Sequence, residues 1–372
     1  MAVLAPRRFL IVTWQAGGGV HPALGLGKRL VRRGHEVRVL APRILRQRVE
    51  AAGCTWRAFP DAAEFDPAAG RAAEDQREYI AKTFFGRELP DALADEVEAS
   101  RPDVLIVDAL LASTVCSGEA LAVPVVALVH TIRAFHGDLD IFGARGFDEI
   151  NTIRATLGLE PIPVGRDTVF VELQRRCELE LVALPAELDL RRGAQQNVVH
   201  VGPLFEEDTD GSPIDLPWSV DDPTPLVVVG LSSQYMHQEA LFARILTALA
   251  DLPVHVLATT GPELDPDELR VPARVELRRY VPHGAVLPRA ALMVTHAGTG
   301  SLMAAFAHGV PCVCVPLGRD QPRNAARAAE LGAALALPSH AEPDAIRAAV
   351  VQALESQTLR REATRLRDAI AA

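Results

Sequence analysis

The chain has 372 residues, 49% hydrophobic and 23% charged, the make-up of a globular protein long enough for two domains of ordinary size. Its net charge of −10 argues against a nucleic-acid surface, and no apolar run approaches the roughly 18 residues that a membrane-spanning helix needs. Five cysteines, at 54, 116, 177, 312 and 314, make no zinc or disulfide spacing, so the expected compartment is the cytoplasm.

Residues 9–14 read as a first buried strand, too short for a signal-peptide core. A glycine turn over 15–22 follows, then a helix over 23–33 with Leu26, Leu30 and Val31 at helical spacing and Gly34 as its stop. Residues 36–41 are a second strand, and this β-α-β opening begins a doubly wound sheet. The turn lacks G-x-G-x-x-G spacing, and Pro42 and Arg43 stand where a dinucleotide fold places an acid, which sets aside a nicotinamide-dependent oxidoreductase. His21 lies just past the first strand, near the carboxyl edge where ligands sit in such sheets. A neutral imidazole there can take the proton of an attacking hydroxyl; the plain alternative is a histidine flanking the next helix.

Residues 60–98 pass from alanine-spaced acids (Asp61, Glu64, Asp66) into a charged helical run over 71–82 and then Phe84-Phe85-Gly86. A buried strand over 101–108 ends in Asp108, which serves the chemistry or caps a helix over 110–122. Residues 123–129 are the next strand, with His130 and Thr131 at its ligand edge, either touching substrate or simply packed. Residues 132–163 carry scattered aromatics, Phe135, Phe142 and Phe147, and His136. Short strands over 177–184 and 198–201 lead to Gly202-Pro203, and the acidic, proline-rich run that follows has linker composition.

The second half opens with a pure buried strand over 226–230, a turn carrying Ser232, a helix over 239–250, and strands over 253–259 and 275–280. Another short strand over 290–295 ends in His296-Ala297-Gly298-Thr299-Gly300-Ser301 and continues as a helix stopped by Gly309. A strand that turns through glycines into a helix start makes an anion site, because the first helical amides have no internal acceptor and the dipole favours negative charge. Thr299 and Ser301 add hydroxyls, and His296 an imidazole donor. The strand over 310–316 leads to Asp320-Gln321, a carboxylate and an amide suited to sugar hydroxyls. Cys312 and Cys314 alternate along that strand and read as small buried residues. The C-terminal run, 344–355 and 359–372, is helical.

Together, Tyr280-Val281-Pro282-His283, Leu287-Pro288, Val294 to Ser301, Gly309-Val310-Pro311, Pro316 and Asp320-Gln321 resemble the donor signature of family 1 glycosyltransferases, of the bacterial type that decorates macrolides and other natural products with deoxysugars. The resemblance implies an α/β, GT-B fold of two Rossmann-like, doubly wound parallel-sheet domains facing across a cleft. It implies an acceptor domain over 1–205, a linker over 206–223, a donor domain over 224–357 and a last helix over 358–372 crossing back. The implied activity is an inverting hexosyltransferase that works without metal or cofactor. It moves a sugar from a dTDP- or UDP-sugar to a hydroxyl or aromatic carbon of a small acceptor such as a polyketide. His21 would be the base and Asp108 its orienting acid. Ser232, Val281, Pro282, His296, Gly298, Thr299, Gly300 and Ser301 would hold the nucleotide and diphosphate, and Asp320 and Gln321 the sugar. No nucleic-acid partner or membrane insertion is expected, and a homodimer is open.

The sequence departs from that pattern twice. Many members hold both ribose hydroxyls with a glutamate three residues after the Ser301 position, where this chain has Ala304. A deoxyribose loses less by this, so a dTDP-sugar is the expected donor. In the first turn, alignment on Pro22 puts the family histidine on Gly19, with His21 two places later. The rival readings are a nucleotide-sugar 2-epimerase and a silent auxiliary protein that activates a partner transferase.

Overall fold

The computed structural model describes residues 5–15, 17–60, 73–138, 143–165, 167–189, 197–206, 214–219, 221–232, 236–261 and 274–371. The acids at 61–66, part of the linker, and Ser233 and Gln234 of the donor-side turn lie outside those residues. The chain divides into two units, Met1–Glu206 and Glu207–Ala372.

The first unit is a parallel sheet of β1 (Arg8–Val12), β2 (Glu36–Ala41), β3 (Thr55–Ala58), β4 (Val104–Asp108), β5 (Val125–Val129), β6 (Leu179–Val182) and β7 (Val198–His200). Its order is β3-β2-β1-β4-β5-β6-β7. The central strands β4 and β5 are valine- and leucine-rich runs without alternation, as strands covered on both faces require, whereas β3 at the edge is mostly exposed. β5 is buried at every position. The order reverses between β1 and β4, so the crevice beyond their carboxyl ends is where this fold accepts a ligand.

The helix after β1 starts earlier than its composition suggests. The expected turn over 15–22 is helical from Gly17, and the helix runs to Arg32 with Pro22 inside it. Glycine has no steric bar to helical dihedrals, and Pro22 deprives only the Gly18 carbonyl of its partner one turn on. Other boundaries shift by a few residues: the helix over 110–122 is Ala112–Ala120, and the stretch over 132–163 carries helices Arg133–Asp138 and Gly143–Thr156.

The second unit is also wholly parallel, with β8 (Leu226–Gly230), β9 (His255–Thr259), β10 (Val275–Arg278), β11 (Ala290–Thr295), β12 (Cys312–Cys314) and β13 (Ala334–Ala336) in the order β10-β9-β8-β11-β12-β13. Its reversal lies between β8 and β11. One face of the sheet is covered by helices Glu239–Leu249 and Pro343–Glu355 through Phe242, Ile245, Ile346 and Val350. Cys312 and Cys314 are fully buried, and burial pushes the Cys314 thiol up to about 12. The last helix, Gln357–Ala371, packs on the helix Thr299–Ala307. Among the described residues no helix is long and apolar enough to cross a membrane.

Candidate active site

The residues expected to hold the donor gather at the carboxyl edge of the second sheet. β11 is buried from 292 to 295 and delivers a buried His296 to that edge. Ala297 turns at a left-handed φ of 65°, and Gly298 starts the Thr299–Ala307 helix with no side chain capping it. The first helical bond runs from the Leu302 N–H to the Gly298 carbonyl at 3.1 Å. The amides of Thr299, Gly300 and Ser301 therefore have no acceptor inside the helix, and its dipole adds partial positive charge at the same place. A Cβ on Gly298 would stand 2.5 Å from His296 Nε2, so only glycine lets the imidazole fold against this turn. Burial pushes His296 down to about 4, against the pull of the Asp320 carboxylate and a ring hydrogen bond to the Gly230 backbone. A ring held that low is neutral at physiological pH, so the amides and the dipole, with the Arg319 charge that also reaches the ring, provide positive potential rather than an imidazolium.

Asp320 precedes the helix Gln321–Glu330 and is tied to the turn. Thr299 Oγ1 donates to Asp320 Oδ2 at 2.9 Å, and the Asn324 amide donates to the same oxygen at 2.7 Å. Asn324 Nδ2 also reaches the Ala297 carbonyl at 3.0 Å. Gln321 turns inward: its carboxamide oxygen accepts the Leu317 and Gly318 amides at 2.8 and 3.2 Å, and its nitrogen donates to Met236 Sδ at 3.2 Å. Of the expected sugar-holding pair, Asp320 joins the Thr299 turn, whereas Gln321 shapes the loop before it. Asn324 carries no signature of its own in the sequence; its place one helical turn after Asp320 was the available signal.

Ser232 follows β8, is buried, and accepts the Gln238 side-chain amide on its carbonyl at 3.3 Å. It does not cap the next helix, which starts from Gln238. Val281 is buried, and Pro282 begins the short helix His283–Val286 after β10. Ser232, Val281 with Pro282, His296 and Asp320 thus follow β8, β10, β11 and β12, along one edge of one sheet.

In the first unit the residues meet differently from the expectation. Asp108 ends β4 and is fully buried. Its Oδ1 accepts the Leu110 amide at 3.0 Å, which closes the turn before the Ala112–Ala120 helix. Its Oδ2 lies 3.2 Å from Nδ1 of His130, which follows β5 and is 4% exposed. That approach is one of distance without the alignment of a full hydrogen bond. Gly19 packs against the pair: a Cβ there would collide with Asp108 Oδ2 and lie 3.2 Å from His130 Cε1. His21 is elsewhere. Its side chain is 49% exposed, and its Nδ1 meets Glu206 Oε2 at 3.0 Å beside Arg48, which also pairs with Glu206. His21 and Asp108, expected as one dyad, have separate partners.

Beside this edge stands an aromatic cluster. Trp14, just after β1, packs edge-on to Phe84 at 5.0 Å between centroids, and Phe170 contacts Phe84 and Phe85 at 5.9 and 5.7 Å. Nearby polar atoms are buried without a hydrogen bond among the described residues: Thr13 Oγ1, Trp14 Nε1 and Thr131 Oγ1 at the strand ends, and Thr83, Ser113 and Thr114 hydroxyls on the flanking helices.

Residues 243–372 match the family model "Erythromycin biosynthesis protein CIII-like, C-terminal domain". Over nearly its whole length the chain is 28% identical to 4'-demethylrebeccamycin synthase of Lentzea aerocolonigenes, covering 98% of this chain and 96% of that protein. It is 29% identical to demethyllactenocin mycarosyltransferase of Streptomyces fradiae, over 85% of this chain and 72% of the relative. In fold it is similar to the kitacinnamycin glycotransferase, at a TM-score of 0.79 with 24% identity, covering 98% of this chain and 95% of that one. Glycosyltransferase VinC, solved in complex with dTDP, matches at a TM-score of 0.74 with 20% identity over the same shares of the two chains. At these identities the solved structures carry the fold, which is GT-B.

Proposed function

We propose that this chain, which belongs to the bacterial natural-product branch of the family 1 glycosyltransferases, transfers a sugar from a nucleoside diphosphate to a hydroxyl, or an aromatic carbon, of a small natural-product acceptor. The observation that carries the donor half is the His296–Ser301 turn: unbonded helix amides, a dipole and a glycine at the one place where a Cβ would displace His296. Such a turn meets the charge that grows on a departing diphosphate, and preorganised donors of this kind are the largest single contribution in many group transfers. With that charge met by the protein, the reaction is assigned no metal and no cofactor beyond the co-substrate. Asp320, fixed by Thr299 and Asn324 through Oδ2, positions a sugar hydroxyl through its other oxygen. In-line attack on the anomeric carbon inverts its configuration.

A dTDP-sugar is the favoured donor over a UDP-sugar. Ala304 sits buried in the helix that follows the turn and offers a ribose nothing to bond. The dTDP complex of VinC shows that nucleotide on a protein of the same fold.

Calorimetric titration with dTDP and with UDP, both without metal, tests the donor assignment. Tight dTDP and weak UDP are expected; UDP binding tenfold better than dTDP overturns the deoxysugar choice and keeps the transferase. If neither nucleotide binds, the donor site is incomplete and the auxiliary-protein reading replaces this one. Sugar products formed with the acceptor left out would instead identify a 2-epimerase.

A further inference from the structure

Resting on that transferase reading, we propose that the base that deprotonates the acceptor is His130, oriented by Asp108, and that His21 fastens the end of the first unit instead. A base for this reaction belongs at the carboxyl edge beside the β1/β4 reversal. Asp108 and His130 end the adjacent strands β4 and β5, which pair in register with Asp108 opposite Leu128. A buried carboxylate is costly unless an opposite charge or hydrogen bonds compensate it, and Asp108 has the Leu110 amide on one oxygen and the His130 ring beside the other.

The ring is presented by its surroundings. Its Nδ1 side faces Asp108, while a Cβ on Gly18 would stand 3.3 Å from Cδ2 and 3.6 Å from Nε2. Gly18 is itself exposed, and its backbone lies along the edge of the ring opposite Asp108. Gly18 and Gly19 are the two residues whose missing side chains let the helix start lie against the imidazole. The loose 3.2 Å approach to Asp108 fits a site at rest, since catalytic hydrogen bonds often tighten only with substrate in place.

His21 cannot take this role from where it stands. In a helix of about 100° per residue, positions 19 and 21 lie about 200° apart, so with Gly19 against Asp108 the His21 side chain points away. It points to Glu206, and the same helix holds the adjoining backbone through Arg29 Nη1 to the Phe205 carbonyl at 3.0 Å. In the step assigned here, the acceptor oxygen bonds to the anomeric carbon while the bond to the diphosphate breaks and its electron pair leaves with the diphosphate. The hydroxyl proton passes to His130 Nε2. The imidazolium that forms is held at Nδ1–H by the Asp108 carboxylate and later yields its proton to solvent.

Two readouts test this. Nitrogen-detected NMR of the imidazoles should show His130 protonated on Nδ1 at neutral pH, with that proton shifted downfield and the shift lost in Asp108→Asn. A His130 ring protonated on Nε2 overturns the assignment whatever the turnover, because that nitrogen could then accept nothing. The second readout compares two acceptors with one dTDP-sugar: an aliphatic alcohol, and a nitrophenol already ionised at the assay pH. His130→Gln should lower kcat roughly 100-fold or more on the alcohol and little on the ionised phenol, which has no proton to give. An equal loss on both, with dTDP binding and melting temperature retained, makes His130 structural and overturns the proposal. So does an alcohol-selective loss in His21→Gln with His130→Gln active. Wild type that turns over neither acceptor counts against the transferase reading, and the NMR result still decides the dyad.

Discussion

Thr299 Oγ1 and Asp320 Oδ2, 2.9 Å apart, join the starts of the helices Thr299–Ala307 and Gln321–Glu330. Asn324 completes the link, since one amide nitrogen serves both Asp320 and the Ala297 carbonyl in the left-handed corner of the turn. Asn324→Ala is expected to lower stability by about 1–2 kcal/mol, because the buried Ala297 carbonyl and Asp320 each lose a donor. It should weaken dTDP binding as well, since the turn loses the tether that holds Ala297 in its left-handed conformation. Chemical unfolding and calorimetry on the same variant read the two effects. Unchanged dTDP affinity despite the lost stability would mean that the tether does not shape the site.

Gly298 and Gly300 share one turn but not one environment. A Cβ at 298 would press on the His296 ring, whereas a Cβ at 300 would meet nothing within 4 Å. Gly298→Ala should displace His296 and reduce dTDP affinity at least tenfold, together with a fall in melting temperature. Gly300→Ala should fold normally, so any loss of affinity it shows comes from contact with the nucleotide. Comparing the two variants by calorimetry and thermal melting separates damage to the turn from obstruction of the ligand.

The strand–turn–helix frame of the proposed donor half was readable in the sequence because each of its parts is local. β8 and β11 are uninterrupted apolar runs, and the glycines after β11 mark the turn between that strand and the Thr299–Ala307 helix. The acceptor half was less readable because its geometry hangs on where a helix begins. Moving the start from residue 23 to Gly17 turns His21 away from the sheet and brings Gly19 against Asp108. The sequence puts Asp108 and His130 each at the end of a strand, but no local pattern reveals that the two side chains meet; only the strand order β1-β4-β5 brings them together. The inward hydrogen bonds of Gln321 to Leu317 and Gly318 were illegible for a similar reason, since they depend on how the loop folds back.

His296 makes the second unit sensitive to acid. Its folded-state value, about 4, lies below the ordinary 6.5, so the native state resists a proton that the unfolded chain accepts. The stability linked to it is complete above about pH 6.5 and is lost as pH falls toward 4. His308, half-buried and also lowered by burial, acts in the same direction. Melting temperatures between pH 7 and 4 should therefore fall less steeply in His296→Asn than in the parent, after allowance for the stability that the substitution itself removes. Parallel curves would show that the ring is protonated without penalty in the folded protein.

Ala304→Glu tests the donor assignment from the opposite side. Residue 304 is buried in the helix that begins at the His296–Ser301 turn, and in the site proposed above its alanine leaves a ribose without a carboxylate. Glutamate should improve UDP binding relative to dTDP, because only the ribonucleotide has a 2′-hydroxyl to add to the bond, a gain of about 1–2 kcal/mol or roughly tenfold in the ratio of dissociation constants. Calorimetry with both nucleotides gives that ratio directly, and no change in it would detach Ala304 from nucleotide choice.

Glu206 closes the first unit. Burial raises its carboxyl, but hydrogen bonds from His21 and Arg48 outweigh that and hold it down at about 2. A depressed carboxylate stabilises the fold above its ordinary value of about 4.5, and that contribution disappears as pH falls from there toward 2. Glu206→Gln should flatten this acid limb and leave Arg48 and His21 facing a neutral amide. If the last residues of the first unit are fixed chiefly by this cluster, the variant should also admit protease near Phe205 faster than the parent at neutral pH. The base assigned above predicts a further separation: His21→Gln should reproduce the stability and proteolysis changes of Glu206→Gln while keeping the alcohol-to-phenol ratio of the parent. A His21 variant that alters this ratio and leaves proteolysis unchanged would return His21 to the chemistry and take it out of the clamp.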